Sequence, residues 1–225
     1  MQLRKLRYLN LLVVIIAMMV ISPFTARSPA LRMVNNIVLT LVLLSVVYTV
    51  KKQKAAFLLG LVLGIPWVLL SWLHLIDSVT FPPGTLSLMS MIFDGYIIYI
   101  LLRHIIRSKR ITADILYGAV SVYILLGIFF ASLYLFFDAI TPAELFVFAG
   151  AGNTGVPVDG PGMFYFSFVT LTTLGYGDIQ PVADISKMFA ILEAMTGVLY
   201  SAALIGRLIG LYVAQGGKGA DKDPG

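Results

Sequence analysis

The chain has 225 residues, 59% of them hydrophobic and only 12% charged, with a mean hydropathy of +0.94 and a formal net charge of +5. A soluble core of this size cannot hide so much apolar surface, so the composition predicts an integral membrane protein and excludes a water-soluble globule. Cysteine is absent, which removes disulfides, thiolate metal sites and thiol redox chemistry.

Taken in chain order, six stretches are long enough to cross a bilayer core as helices: Tyr8–Phe24, Met33–Val50, Ala55–Leu75, Leu86–Ile106, Asp114–Phe137 and Ile185–Val213. The alternating pattern of a membrane barrel is missing, so the expected fold class is an all-α membrane protein with six transmembrane helices. The basic start followed by an apolar run imitates a secretory signal, but the run is long for one and no small-x-small cleavage site follows it. Basic residues gather at Arg4, Lys5 and Arg7, at Lys51, Lys52 and Lys54, and at Arg103, Arg107, Lys109 and Arg110. These groups fall on one side of the predicted topology, with Arg27, Arg32 and Lys187 on the other, so both termini are expected to be cytoplasmic. The positive charge thus reports membrane insertion, and the expected partner is lipid with no nucleic acid.

Pro66 is expected to kink the third stretch. The fourth carries no Arg or Lys between Leu86 and Leu102, yet holds Asp94 near its middle. An acid inside the membrane is a functional candidate by default. Asp94 is therefore either a possible sensor or a structural acid hydrogen-bonded to Tyr99, Asn35 or Asn36. His74 and His104 lie at opposite ends of their stretches and cannot share a metal.

Between the last two stretches, Pro161-Gly162-Met163 opens an amphipathic segment too short to span a membrane. It leads into Thr172-Thr173-Leu174-Gly175-Tyr176-Gly177-Asp178. Glycines at positions 175 and 177 permit backbone angles that side chains resist, so successive carbonyls can be turned toward one axis, where they can replace a cation's hydration shell. The expected K⁺ ligands are main-chain oxygens of Thr173, Leu174, Gly175, Tyr176 and Gly177, with the Thr173 hydroxyl as a further donor of electron density.

The longer run from Phe164 to Pro181 resembles the pore helix, filter and exit loop of the pore-loop potassium channels, and the resemblance extends over Ile111–Ala214. Leu174 replaces the valine of the family's filter, and Tyr165 and Phe166 stand where many members have two tryptophans. The resemblance implies a voltage-sensor-like, largely uncharged four-helix bundle over residues 1–110, a helix–pore loop–helix pore domain over 111–214, and a disordered cytoplasmic tail over 215–225. One filter strand per chain supplies a quarter of a coordination ring, so a homotetramer is expected. A multi-pass protein of a prokaryotic inner or plasma membrane, with no enzyme activity and no cofactor beyond K⁺ ions in the filter, completes the picture.

Around the filter, Thr172, Asp178, Tyr165, Phe166 and Glu193 are expected to act as support. Asp178 either places carboxylates at the outer mouth or braces the loop by hydrogen bonding. Glu193, deep in the last stretch, needs a partner. Hydroxyls of Thr170, Thr172 or Tyr165 are the candidates, with a protonated packing residue as the alternative. Gly197 is either a gating hinge or a close-packing glycine. Val198, Ser201, Ala202 and Ile205 share a helical face suited to lining a cavity, and Arg207 should reach the cytoplasmic interface. Without arginines through the fourth stretch, steep voltage dependence is not expected. The short link from Arg107 to Asp114 predicts a bundle packed against its own subunit's pore. The about ten residues beyond the last helix leave no room for a nucleotide- or calcium-binding ring. Two other classes fit less well: a secondary carrier should show paired repeats or broken helices, and a non-selective cation channel should depart from Tyr176.

Overall fold

A computed structural model describes residues 7–22, 24, 28–50, 54–76, 81–108, 112–149 and 158–220. In chain order these form α1 (Arg7–Ile21), α2 (Pro29–Val50), α3 (Lys54–Leu75), α4 (Thr85–Arg107), α5 (Ala113–Ile140), β1 (Phe146–Phe148), α6 (Gly160–Leu171), β2 (Ile179–Pro181) and α7 (Asp184–Ala220). Five helices, α2 to α5 and α7, are long and apolar enough to cross a membrane. The protein is a multi-pass membrane protein.

Of the expected span Tyr8–Phe24, α1 covers 15 described residues, about 22 Å at 1.5 Å per residue against a hydrocarbon core of about 30 Å, so this stretch is not among the five. Its helix gives out where Pro23 follows Ser22 in the sequence, because proline disfavours helical backbone in the residue before it. The tail differs as well. α7 continues through Ala220, past the expected break at Gln215, since extending an existing helix is far less costly than nucleating one. Residues 221–225 lie outside the described set. α3 runs through Pro66 without interruption.

Each of the first four helices packs on the next, and both α1 and α4 pack on α5, so α5 closes the circuit. One apolar core joins them, with Leu11 and Ile15 of α1, Leu43 and Val46 of α2, Trp67 of α3, Phe93 and Ile97 of α4, and Val122 and Leu125 of α5. Packing is therefore continuous across the expected boundary near residue 110. Lipid is as apolar as these side chains, so close fit and interhelical hydrogen bonds hold the bundle. Asn36 Nδ2 donates to the Ser71 carbonyl at 3.0 Å, Trp72 Nε1 to Thr40 at 3.2 Å, and the Tyr96 hydroxyl to the Ala56 carbonyl.

Asp94 is buried, and its partner differs from the three expected. Ser90 Oγ, one turn back on the same helix, donates to Asp94 Oδ2 at 3.1 Å, and Ser132 of α5 donates to Ser90 at 3.1 Å. Tyr99 is exposed, and Asn36 is engaged with α3. Helical phase turns Asp94 toward α5, which a reading of spans alone does not reveal.

Helix ends are closed by residues from far along the chain. Asp114 of α5 accepts the Tyr8 N–H at the start of α1 at 2.8 Å. Arg207 of α7 places Nη2 at 2.9, 2.6 and 2.7 Å from the carbonyl oxygens of Ile105, Ile106 and Ser108. Ile105 and Ile106 are in the last turn of α4, where carbonyls lack an i+4 partner in the helix, and Ser108 is its C-cap, whose own N–H donates to the Ile105 carbonyl at 3.2 Å. Arg207 thus does not simply reach for water; it caps α4 and ties α7 to the bundle of its own chain. Arg207→Ala is expected to cost about 1–2 kcal/mol, the lower part of the range for a charged donor because the contact is partly open. It is read as a lower midpoint of thermal unfolding in detergent, with Arg207→Lys intermediate; an unchanged midpoint for Arg207→Ala would count against the cap.

Candidate ion-conduction site

α6 begins where Asp159 accepts the Gly162 N–H at 2.8 Å, with Pro161 inside the first turn, where its missing N–H leaves nothing unpaired. Its 12 residues reach about 18 Å, too short to cross a hydrocarbon core of about 30 Å. Met163, Phe166, Ser167 and Leu171 are buried, and the Phe168 ring lies over Gly127 of α5, where an added Cβ would come within 2.7 Å of it. α6 therefore sits in a socket formed by its own chain.

Beyond α6 the backbone alternates. Thr173, Gly175 and Gly177 have φ of 59°, 57° and 78°, while Leu174 and Tyr176 between them do not enter that region. Among the described residues Thr173 is the one non-glycine with positive φ, a conformation that carries strain. The N–H groups of Thr173, Leu174 and Gly175 all turn back onto α6, donating to the Thr170 carbonyl at 2.9 Å and to the Val169 carbonyl at 2.9 and 3.2 Å. Peptides are planar and none here is cis. The carbonyls of Thr172, Thr173 and Leu174, each opposite one of those N–H groups, therefore point away from α6. Residues 172–178 are exposed throughout, with Leu174 at 55% and Tyr176 at 67%.

Both ends of this strand are fixed. Thr172 Oγ1 donates back to the Phe168 carbonyl at 2.7 Å. At the far end Asp178 Oδ2 accepts from the Tyr165 hydroxyl at 2.8 Å, and Asp178 Oδ1 from the Ile179 N–H at 3.2 Å. That carboxylate holds the Tyr165 phenol's proton and pushes its pKa up to about 12. The Ala149 N–H donates to the Asp178 carbonyl at 2.8 Å, and β1 pairs antiparallel with β2, Val147 opposite Gln180. These two short strands, not foreseen in an all-α reading, tie the loop after the filter to the loop after α5. Gln180 Nε2 also reaches the Gly177 carbonyl at 3.2 Å.

Glu193 is 0% exposed. Its partners are Ser167 of α6, 2.5 Å from Oε1, and Tyr134 of α5, 2.5 Å from Oε2. None of the three expected hydroxyls is its partner: Thr172 bonds on its own helix, Tyr165 bonds to Asp178, and the places at Glu193 that Thr170 was expected to fill are taken by Ser167 and Tyr134. Glu193 faces the buried side of α6, whereas Tyr165 and Thr172 lie on the other. Ser167 could have been found from phase, as a hydroxyl on a face otherwise made of Met163, Phe166 and Leu171. Tyr134, on a distant helix, carried no such signal. Phe166 joins Tyr134 and Phe146 in an aromatic cluster, with ring centroids 5.4 and 5.2 Å away.

Gly197 lies where α7 meets the end of α6, and a Cβ there would fall 2.0 Å from the Leu171 carbonyl oxygen. The close approach alone requires glycine. A polar residue recurs every seventh position along the same face of α7: Ser186 donates to the Leu145 carbonyl at 2.8 Å, Glu193 binds as above, Tyr200 donates to the Ala119 carbonyl at 2.7 Å, and Arg207 caps α4. Val198 and Ile205 are turned away from the chain, 53% and 58% exposed, with Ala202 exposed and Ser201 half-buried beside them.

Residues 119–214 match a family model described as an ion channel. Curated relatives match over short stretches only. Two-pore potassium channel 4 of Arabidopsis thaliana is 44% identical over 46 residues, 20% of this chain and 16% of that protein. Voltage-gated potassium channel Kch of Escherichia coli is 36% identical over 53 residues, 24% of this chain and 13% of that protein. Human voltage-gated delayed rectifier potassium channel KCNH5 is 38% identical over 48 residues, 21% of this chain and 5% of that protein. Residues 119–214 are thus similar to an ion channel domain, and the curated relatives that match this chain are potassium channels. The chain spans 16% or less of the length of these relatives, and no solved structure matches it.

Two substitutions test this geometry. Gly197→Ala is expected to force α7 off α6 and lower thermal stability by about 1–3 kcal/mol, as overpacking does; unaltered stability would mean the helices do not touch there. Tyr165→Phe removes the single hydrogen bond to Asp178, which should cost about 1 kcal/mol and speed hydrogen exchange at the N–H groups of the filter and of Ala149.

Proposed function

We propose that the chain is one subunit of a homotetrameric, K⁺-selective channel that passes K⁺ down its electrochemical gradient in a cell membrane, with both termini cytoplasmic. The observation that carries this reading is the alternating backbone of residues 173–177 with the N–H groups of Thr173, Leu174 and Gly175 spent on α6, which turns the carbonyls of Thr172, Thr173 and Leu174 away from that helix and toward where a dehydrated cation could meet them. A single strand cannot surround an ion. Four copies about an axis would complete the ring, with the carbonyls of Thr173, Leu174, Gly175, Tyr176 and Gly177 as ligands, and would cover Leu174 and Tyr176.

Each part of the chain then has a role. The C-terminal end of α6 directs its partial negative charge toward a cavity below the filter. Val198, Ser201, Ala202 and Ile205 line that cavity, and Asp178 holds the outer mouth through Tyr165. Opening by a bend at Gly197 would have to pull α7 from the Leu171 carbonyl, so the hinge and the close contact belong to one movement. α4 carries its arginines only at the end, Arg103 and Arg107, so the bundle serves as a scaffold with weak or no voltage sensing.

The test is planar-bilayer recording of the purified protein under opposing K⁺ and Na⁺ gradients. Reversal potentials near the K⁺ equilibrium value, with conductance nearly flat across voltage, are expected; equal permeation of Na⁺ would overturn the selective reading. Gly175→Ala meets no steric neighbour but must adopt φ near +57°. It is expected to abolish selectivity or reduce K⁺ flux at least about tenfold while the protein still folds, because an L side chain resists that angle.

A further inference from the structure

Ser167 Oγ stands 2.7 Å from the Gly127 carbonyl oxygen and 2.5 Å from Glu193 Oε1. A serine hydroxyl has one hydrogen to give. The Gly127 carbonyl has none, so that contact takes the serine's hydrogen, and the hydrogen between Ser167 and Glu193 must come from the carboxyl group. On the other flank, the Tyr134 phenol gives its hydrogen to Oε2 at 2.5 Å.

We propose that Glu193 is a positioning residue that works as a neutral carboxylic acid, its proton donated from Oε1 to Ser167. Hydrogen bonds then run in one direction, from Tyr134 of α5 to Glu193 of α7, on to Ser167 of α6, and back to Gly127 of α5. Three elements behind the filter are closed into a loop with every hydrogen used once. An ionised Glu193 would set two acceptors against the single Ser167 hydrogen, so one of the two contacts, at 2.7 or 2.5 Å, would press oxygen against oxygen with no hydrogen between them, a costly arrangement. Tyr134 is the titratable group in contact with the carboxyl among the described residues, and its neighbours Phe130, Phe146 and Phe166 are aromatic and uncharged. On α7 itself, Lys187 sits near Asp184 at 3.9 Å, two turns away. The brace therefore holds the pore helix without adding a negative charge beside the cation path.

The functional part of this inference rests on the conduction reading above; the chemical state does not. Glu193→Gln reproduces the hydrogen pattern of the neutral acid, since the amide donates to Ser167 and its oxygen accepts from Tyr134. It is expected to keep the thermal midpoint and the K⁺ flux of the parent protein, whereas Glu193→Ala, which leaves Ser167 and Tyr134 unpartnered, should reduce flux roughly tenfold or fail to assemble. Infrared spectra of the reconstituted protein at pH 7 should show a carboxylic-acid carbonyl band that is missing in Glu193→Gln. A Gln variant as damaged as the Ala variant, or the same infrared spectrum in parent and Gln variant, would overturn the proposal. The melting and infrared measurements need no ion flow, so they separate a wrong chemical state from a protein that does not conduct.

Discussion

Everything about the filter depends on where three N–H groups go. Val169 and Thr170, at the end of α6, offer carbonyls that the helix itself no longer uses, and Thr173, Leu174 and Gly175 take them up. Once those donors are committed to one side, peptide planarity commits the carbonyls to the other. The positive φ values at every second residue keep the strand running straight while this happens. The proposed selectivity chemistry would thus begin as an ordinary problem of helix termination, with the carbonyls of Thr172, Thr173 and Leu174 turned away from α6.

Holding that strand requires α6 to stay still, and the rest of the chain is arranged to that end. α7 supplies a row of polar contacts at Ser186, Glu193, Tyr200 and Arg207, each seven residues from the last, with Gly197 letting the backbone come close between them. Each contact reaches a different part: the loop after α5, the back of α6, the middle of α5 and the end of α4. In an apolar setting such directional bonds specify alignment where general hydrophobicity cannot. The opposite face of α7 carries Val198 and Ile205 without cover from its own chain. One helix therefore has an internal seam and an external face suited to a neighbouring copy.

Much of this was legible in the sequence because backbone requirements leave local marks. Gly175 and Gly177 announce positive φ, five of the six apolar stretches are near in extent to helices long enough to span, and Pro161-Gly162-Met163 announces the start of α6. What stayed hidden depends on helical phase across long separations. Glu193 was recognisable as an acid in need of a partner, yet Tyr134, 59 positions away, could not be named. Asp94 failed in the same way, since its hydroxyl partner Ser90 lies on its own helix and the link to α5 runs through Ser132. α1 is shorter than the apolar run Tyr8–Phe24 because hydropathy alone does not mark where a helix stops, and the β1–β2 pair escaped notice because three residues are too few to show a period.

The account's central claim is that main-chain oxygens of residues 173–177 converge on an axis and bind K⁺. It is tested most directly by structure determination of the purified assembly in K⁺, with a second data set in Tl⁺ to mark monovalent cation positions. The account predicts fourfold symmetry, with Tl⁺ peaks on the axis level with the carbonyls of Thr173 to Gly177. An assembly of other symmetry, or carbonyls turned away from the axis with no Tl⁺ beside them, would contradict it.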